Sequence, residues 1–320
     1  MLTAFYTHID CLRHEMGEGH PECPARLQAI EDRLIASGIH GFLDHREAPM
    51  ATPAMIGRVH DLALLDQIRI MSPSDDEDKS RGSRAYAALD PDTLLNAYSF
   101  NAALRAAGAA VAATDAVIAG EIDNAFCAVR PPGHHAQRSK AMGFCLFNNI
   151  AIAARHAMAV HGLTRIAIID FDVHHGNGTQ EAFQDDPRVL MVSFFQHPCY
   201  PFGGASGDSG RHHNMINQPL PAHTGGDVVR RLVSEVWLPA LHAHQPQMLF
   251  ISAGFDAHRE DDIGEMGLVE EDYAWITRQC MAIAAQYAQG RIVSCLEGGY
   301  NLSALGRSVV AHVKALAQLD

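Results

Sequence analysis

Short apolar runs rich in β-branched residues alternate along this chain with longer segments whose apolar positions recur at helical spacing. Strand-like runs fall at residues 2–6, 124–129, 164–170, 189–194, 248–252 and 292–296. Helical periodicity covers Leu27, Ile30, Leu34 and Ile35, with Gly38 as the stop, and then residues 62–71. Asp90-Pro-Asp-Thr93 reads as the capped entry of an Ala-rich helix reaching residue 119. Further helices are expected at 149–160, 226–244 and 269–289, with a last one closing the chain. Residues 8–26 look irregular, with two prolines around His20 making a rigid loop, and the polar stretch 73–83 reads as an exposed loop. Strands alternating with helices predict an α/β fold, an open, mostly parallel β-sheet with helices on both faces. There is no internal repeat, low-complexity tract or composition break, so residues 1–320 read as one domain.

Chemistry concentrates where four of these strands end: His134-His135, the run Asp170-Phe-Asp-Val-His-His-Gly-Asn-Gly-Thr179, Asp256, and Tyr300. In open parallel sheets, sites form outside the carboxyl ends of the strands. On extended chain, residues two apart share a face, so Asp172 and His174 project together as one oxygen and one nitrogen donor. Asp256 would complete three ligands and leave a fourth position open, the pattern of a catalytic zinc site, where the metal acidifies water and polarises a carbonyl. Tandem histidines after the rigid Pro-Pro-Gly turn suit proton transfer, and Tyr300 suits a hydrogen bond to an oxyanion.

Composition narrows this picture. A formal net charge of −13 argues against nucleic-acid partners, which need a basic footprint. With 48% hydrophobic residues the chain can bury a large core. The start of the sequence lacks a basic-then-apolar leader and no run of 18 uncharged apolar residues occurs, so neither a signal peptide nor a membrane segment is expected. Seven scattered cysteines without a Cys-x-x-Cys pair read as buried thiols of a reducing cytoplasm.

Five ordered motifs carry a resemblance: Arg130-Pro-Pro-Gly-His-His-Ala136, Gly143-Phe-Cys-x-x-Asn-Asn149, Asp170 to Thr179, Ser252-Ala-Gly-Phe-Asp256 and Glu297-Gly-Gly-Tyr300. From His14 to the last helix the chain resembles the histone deacetylase, acetylpolyamine amidohydrolase and acetoin-utilisation family, in its class II form. The resemblance implies the arginase–deacetylase fold and zinc-dependent removal of acetyl or related acyl groups from lysine side chains or small amines. By it, Asp172, His174 and Asp256 are the zinc ligands, and His135 is the general base and acid. His134 is its electrostatic partner, backed by Asp170; Asn177 stands behind His135, and Tyr300 polarises the carbonyl. It also implies structural potassium, held by Asp170, the Ser193 hydroxyl and the carbonyls of Asp172, His174 and Phe194, with a second ion on the backbone near Phe183, Asp186 and Val189. Phe144 and Tyr200 would wall the acyl-lysine tunnel beside Gly143, Gly298 would pass close to the substrate chain, and Asp92 or Asp90 would hold the substrate backbone. Ile263 stands where polyamine-specific relatives carry Glu, although Glu260, Asp261 and Asp262 keep that loop acidic. The segment from His14 to Arg26 is either part of the entrance or scaffold. Alternatives in view are an acetylpolyamine amidohydrolase, a non-catalytic acyl-ligand binder and an arginase-like two-manganese enzyme. Oligomeric state, a homo-oligomer included, stays open.

Overall fold

The computed structural model describes residues 1–74, 85–204 and 209–319; most of the expected 73–83 loop and residues 205–208 lie outside them. In chain order the strands are β1 (Thr3–Thr7), β2 (Asp44–Glu47), β3 (Ala87–Asp90), β4 (Thr93–Leu95), β5 (Asn124–Cys127), β6 (Ile166–Asp170), β7 (Val189–Gln196), β8 (Met215–Leu220), β9 (Met248–Ala253) and β10 (Ile292–Leu296). Eight of them form one sheet in the order β2-β1-β5-β10-β9-β6-β7-β8. Every neighbouring pair in it is parallel. Each residue of the four central strands is buried, so helices cover both faces, as expected for a parallel sheet. The helix Glu270–Tyr287 packs on Leu302–Ala317, which in turn packs on Ala25–Ala36. The helix Ser99–Ala119 packs on Asn149–His161 and against β5 and β10.

Ser99–Ala119 is long and apolar enough to cross a membrane, yet 67% of its most apolar window is buried in this fold. Its alanines let it lie close on the sheet, and it stops at Gly120 in the left-handed region (φ 73°). The motif Asp90-Pro-Asp-Thr93 does not open this helix. It is the turn of the antiparallel β3–β4 hairpin, with Asp90 paired to Thr93. Asp90 Oδ1 accepts the Asp92 amide (3.1 Å), so the acid caps its own turn, a use that competes directly with helix capping. Asn96 takes the role at the true helix entry, accepting the Tyr98 amide (3.1 Å) and the Ser99 hydroxyl (3.0 Å).

Three further differences have local causes. Residues 8–26 include a short helix, Ile9–Arg13, capped by His8 Nδ1 on the Asp10 amide (3.0 Å). β8 has little apolar pattern because it is an edge strand, where Pro219 is tolerated. The 226–244 helix is divided by a π turn at Val233–Trp237. Pro239 lies just beyond it, and its ring would clash with the carbonyl of Glu235 in a regular helix.

Candidate active site

The four strands whose ends carry the reactive residues, β5, β10, β9 and β6, are consecutive neighbours at the centre of the sheet. Topology therefore delivers His134-His135, Tyr300, Asp256 and the Asp170–His174 run to one edge, although they are far apart in sequence.

Asp172, His174 and Asp256 are all buried and present their ligand atoms within 4.8 Å of one another. His174 Nδ1 lies 3.0 Å from Asp172 Oδ1 and 3.2 Å from Asp256 Oδ2. Strand alternation is not what pairs Asp172 with His174, because β6 ends at Asp170. Asp172 Oδ1 instead accepts the His174 amide (2.8 Å) in a tight turn that swings both donors inward. The remaining carboxylate oxygens are anchored: Asp172 Oδ2 by the Gly298 amide (2.9 Å), Asp256 Oδ1 by the Val173 amide (3.0 Å). A Cβ on Gly298 would stand 1.9 Å from Asp256 Oδ2, and one on Gly254 would stand 2.0 Å from Asp172 Oδ2. Gly298 thus packs directly against both carboxylates, with no room there for a side chain.

The donor set fits a divalent cation. Asp256 Oδ2 is buried without a hydrogen-bond donor. Burial and the adjacent Asp172 charge push the Asp256 carboxyl up to about 6, while Asp172 stays well below the usual carboxylate range. For Asp172, burial is outweighed by the positive field of His134 and by hydrogen bonds from His174. Two buried carboxylates and one imidazole nitrogen facing a common point match the oxygen and nitrogen donors of a catalytic zinc site. An arginase-like metal pair would need further acids at this point, and among the described residues only this trio forms here.

The tandem histidines are set apart by their partners. His134 Nδ1 faces Asp170 Oδ2 at 3.0 Å. Burial works against its charge, but Asp172 and Asp170 raise it to about 10. His135 Nδ1 donates to Asn177 Oδ1 at 2.8 Å, which leaves Nε2 with its lone pair. Burial, then the neighbouring His134 and His174 charges, hold His135 well below its ordinary value. The two imidazoles are pushed in opposite directions, the divergence that separates electrostatic from basic roles.

A cavity of about 170 Å³ is lined by Asp92, His135, Gly143, Phe144, His174, Tyr200, Ile263 and Tyr300. Its ring contacts are edge-on: Phe144 to Tyr300 (centroids 5.8 Å), His135 to Tyr200 (5.2 Å) and His20 to Phe144 (4.7 Å). Phe144 has a left-handed backbone (φ 66°), and its amide is held by Thr93 Oγ1 (3.1 Å). Burial keeps the Tyr300 hydroxyl well above its ordinary value, hence protonated and able to donate.

Residues without a role in the sequence reading hold this arrangement. Glu297 accepts the Gly133 (2.7 Å) and His134 (3.1 Å) amides and the Ser252 hydroxyl (3.0 Å), fixing the histidine loop to two strands. Burial lifts its carboxyl to about 7. Arg26 and Arg130 share the buried Glu22 carboxylate, with His14 Nε2 3.5 Å from it. Arg26 donates to the Gly299 carbonyl (2.7 Å) and lies over the Tyr300 ring (4.9 Å). His14, Glu22 and Arg26 are therefore scaffold beneath Tyr300, while His20 meets Phe144 of the cavity wall edge-on and the Asp92 carbonyl (3.1 Å). The acidic 260s loop is also largely committed. Glu260 pairs with Arg307 (2.8 Å), Asp261 is buried, and Asp262 alone is unpaired among the contacts of these three.

Asp170 and Ser193 are register partners on β6 and β7, but the Ser193 hydroxyl is bonded to Asn217 Oδ1 (2.9 Å). The Phe194 side chain stacks on Trp237 (5.7 Å) and leaves only its carbonyl for a cation. The carbonyls of Phe183, Asp186 and Val189 do converge, but on the Asn214 side-chain amide, at 2.9, 3.1 and 2.9 Å. An amide nitrogen stands where the second potassium was expected. A second donor cluster, His156 and His161 on Asp115 Oδ1 (2.6 Å each), has Arg58 Nη1 3.2 Å from His156 Nδ1. A cation on the far ring nitrogen opposes a metal there, and the cluster reads as a hydrogen-bonded clamp between two helices.

The site thus gathers three candidate metal ligands, two histidines and a tyrosine at the carboxyl edge of a parallel sheet. The histone deacetylase domain family matches residues 20–316. The chain is 37% identical to "Histone deacetylase 14, chloroplastic" of Arabidopsis thaliana, over 95% of this chain and 74% of that protein. It is 36% identical to the "Histone deacetylase-like amidohydrolase" of Pseudomonas aeruginosa, over 93% of this chain and 82% of that one. The solved HDA15 HD domain superposes with a TM-score of 0.91 at 34% identity, covering 99% of this chain and 88% of that one. The chain belongs to the histone deacetylase family, and its fold is that of the family's catalytic domain.

Proposed function

We propose that the protein is a zinc-dependent deacetylase that hydrolyses acetyl or related acyl groups from lysine side chains or small amines. The observation that carries this reading is the convergence of Asp172, His174 and Asp256 beside a narrow cavity that His135 and Tyr300 also line. These three residues hold the zinc, which when bound supplies Lewis acidity toward the amide carbonyl and lowers the pKa of water. The aromatic walls Phe144 and Tyr200 exclude water from an extended acyl-lysine chain. His135 Nε2, unprotonated because Nδ1 donates to Asn177, takes the proton of the attacking water. His134, charged through Asp170, stabilises the negative charge that develops beside it. The Tyr300 hydroxyl donates to the oxyanion. The amine leaves with a proton returned from the histidine pair.

Supporting a lysine-type substrate over a polyamine, Ile263 is apolar and two of the three acids of its loop are engaged elsewhere. Asp92 at the rim is the group for a substrate backbone or amine. Asp170 and the carbonyls of Asp172, His174 and Phe194 are the groups that would hold one structural potassium, and the Ser193 hydroxyl expected beside them is bonded to Asn217. Residues 1–320 act as one catalytic domain, since a single sheet takes strands from both ends of the chain. The test is a panel of acetyl-lysine peptides, longer acyl-lysines, acetylputrescine and acetylspermidine. Turnover of acyl-lysine peptides that exceeds that of polyamines and is lost in His135→Ala is expected. Tight binding of all of them with no product would overturn the enzyme reading.

A further inference from the structure

We propose that Asp261 is the positioning residue for Tyr300, one carboxylate fixing two residues of the cavity lining. The inference rests on the role assigned to Tyr300 above. Asp261 Oδ2 accepts the backbone amides of Tyr300 (2.6 Å) and Asn301 (2.9 Å). Its Oδ1 accepts the amide of Ile263 (3.1 Å), and its own amide donates to the His258 carbonyl (2.9 Å). Tyr300 and Ile263 both line the cavity. The side chain is 7% exposed, so these bonds form away from water, where charge-assisted acceptance of several N–H groups is strong.

Tyr300 needs such a clamp because its own segment does not fix it. Gly299, just before it, has φ 116°, a region that glycine leaves as readily as it enters. Asn301, just after it, is the cap of Leu302–Ala317, its Oδ1 accepting the Ala304 amide (3.0 Å). The tyrosine therefore stands at a hinge between a permissive glycine and a helix start. Asp261 pins the two amides on the helix side, and Arg26 holds the Gly299 carbonyl and covers the ring from the other side. Orienting a donor toward a developing charge is the kind of effect in which a small misplacement costs much rate and little binding.

The experiment uses the zinc-loaded full chain with an acetyl-lysine peptide and compares Asp261→Asn, Tyr300→Phe and the double variant. Asparagine keeps the volume and one acceptor oxygen but cannot serve both residues. Asp261→Asn is expected to lower kcat by about tenfold to a hundredfold. KM should stay within about threefold and zinc content unchanged, because the lost interaction acts in the transition state. The double variant should be no slower than Tyr300→Phe alone, since both changes remove one contribution. Wild-type kcat in Asp261→Asn beside a slow Tyr300→Phe, or independent losses that multiply in the double variant, would overturn the proposal alone. Wild-type turnover in Tyr300→Phe would overturn the role of Tyr300 and this proposal together. Circular dichroism separates a folding failure, and Asp261→Asn is the variant least exposed to one.

Discussion

Gly298 sets the spacing of the donor cluster at the scale of single atoms. Its amide holds Asp172, and a Cβ in its place would meet Asp256 Oδ2 at 1.9 Å. Gly298→Ala is therefore expected to separate the two carboxylates, with metal content and turnover falling together while the sheet stays folded. Metal analysis and circular dichroism on the same sample check this, and a wild-type metal content would contradict it. The three donors that converge, Asp172, His174 and Asp256, were legible in the sequence because each stands in a compact motif whose residue types serve no common structural purpose together. Asp261 and Glu297 were not, because their partners are backbone amides, which carry no mark in a sequence. The contact of Gly298 with the two carboxylates was hidden for a related reason: a glycine announces a close approach without saying what approaches.

At the scale of elements, the segment from His14 to Arg26 shows how a charged cluster can be structural. Glu22 is fully buried between two arginines that reach it from different parts of the chain. Burial raises its carboxyl, but the Arg130 charge and the arginine hydrogen bonds bring it down to about 2. Glu22→Ala would strand two guanidinium groups without a counter-charge, a change that costs about 3–5 kcal/mol. Denaturant unfolding measures it, and a loss below about 1 kcal/mol would contradict the buried-pair account. Turnover should fall as well, since Arg26 lies beneath Tyr300. Strands and helices of the central sheet were legible from periodicity because tertiary packing reinforces it. The β3–β4 hairpin was not, because Asp90-Pro-Asp-Thr93 is equally good turn chemistry and helix-cap chemistry, and only the partner strand decides.

Over the whole molecule, buried histidines set the response to acid. Burial lowers His14 to about 3, His60 to about 4 and His312 to about 3. His60 and His312 have both ring nitrogens hydrogen-bonded; His312, for example, bridges the Thr277 (2.6 Å) and Ser294 (2.9 Å) hydroxyls. In the unfolded chain they take up protons below about 6.5, whereas the folded chain refuses them until near 4 or 3. The unfolded state then binds more protons, so stability falls as pH falls from 6.5. Each histidine contributes up to about 1.4 kcal/mol per pH unit in that window. The depressed Glu22 adds to the same trend only below its unfolded value, near 4.5, and its contribution is gone once pH passes its folded value near 2. Glu297 and Asp256, lifted to about 7 and about 6, take up protons in the folded chain over part of the same window and oppose this trend, so the test is a difference: between pH 6.5 and 5 His312→Asn should lower the slope of unfolding free energy against pH by about one proton, and an unchanged slope would contradict this. The convergence of four distant segments on one sheet edge is what made the site readable before any coordinates, since strand ends of a parallel sheet share an edge by construction. The measurement that bears most directly on the central claim compares metal content and acetyl-lysine turnover in the wild-type chain and in Asp256→Asn. The account predicts about one zinc per wild-type chain, activity that disappears with chelation and returns with zinc, and neither metal nor turnover in Asp256→Asn. Full turnover by Asp256→Asn, or by the stripped wild-type chain, would contradict it.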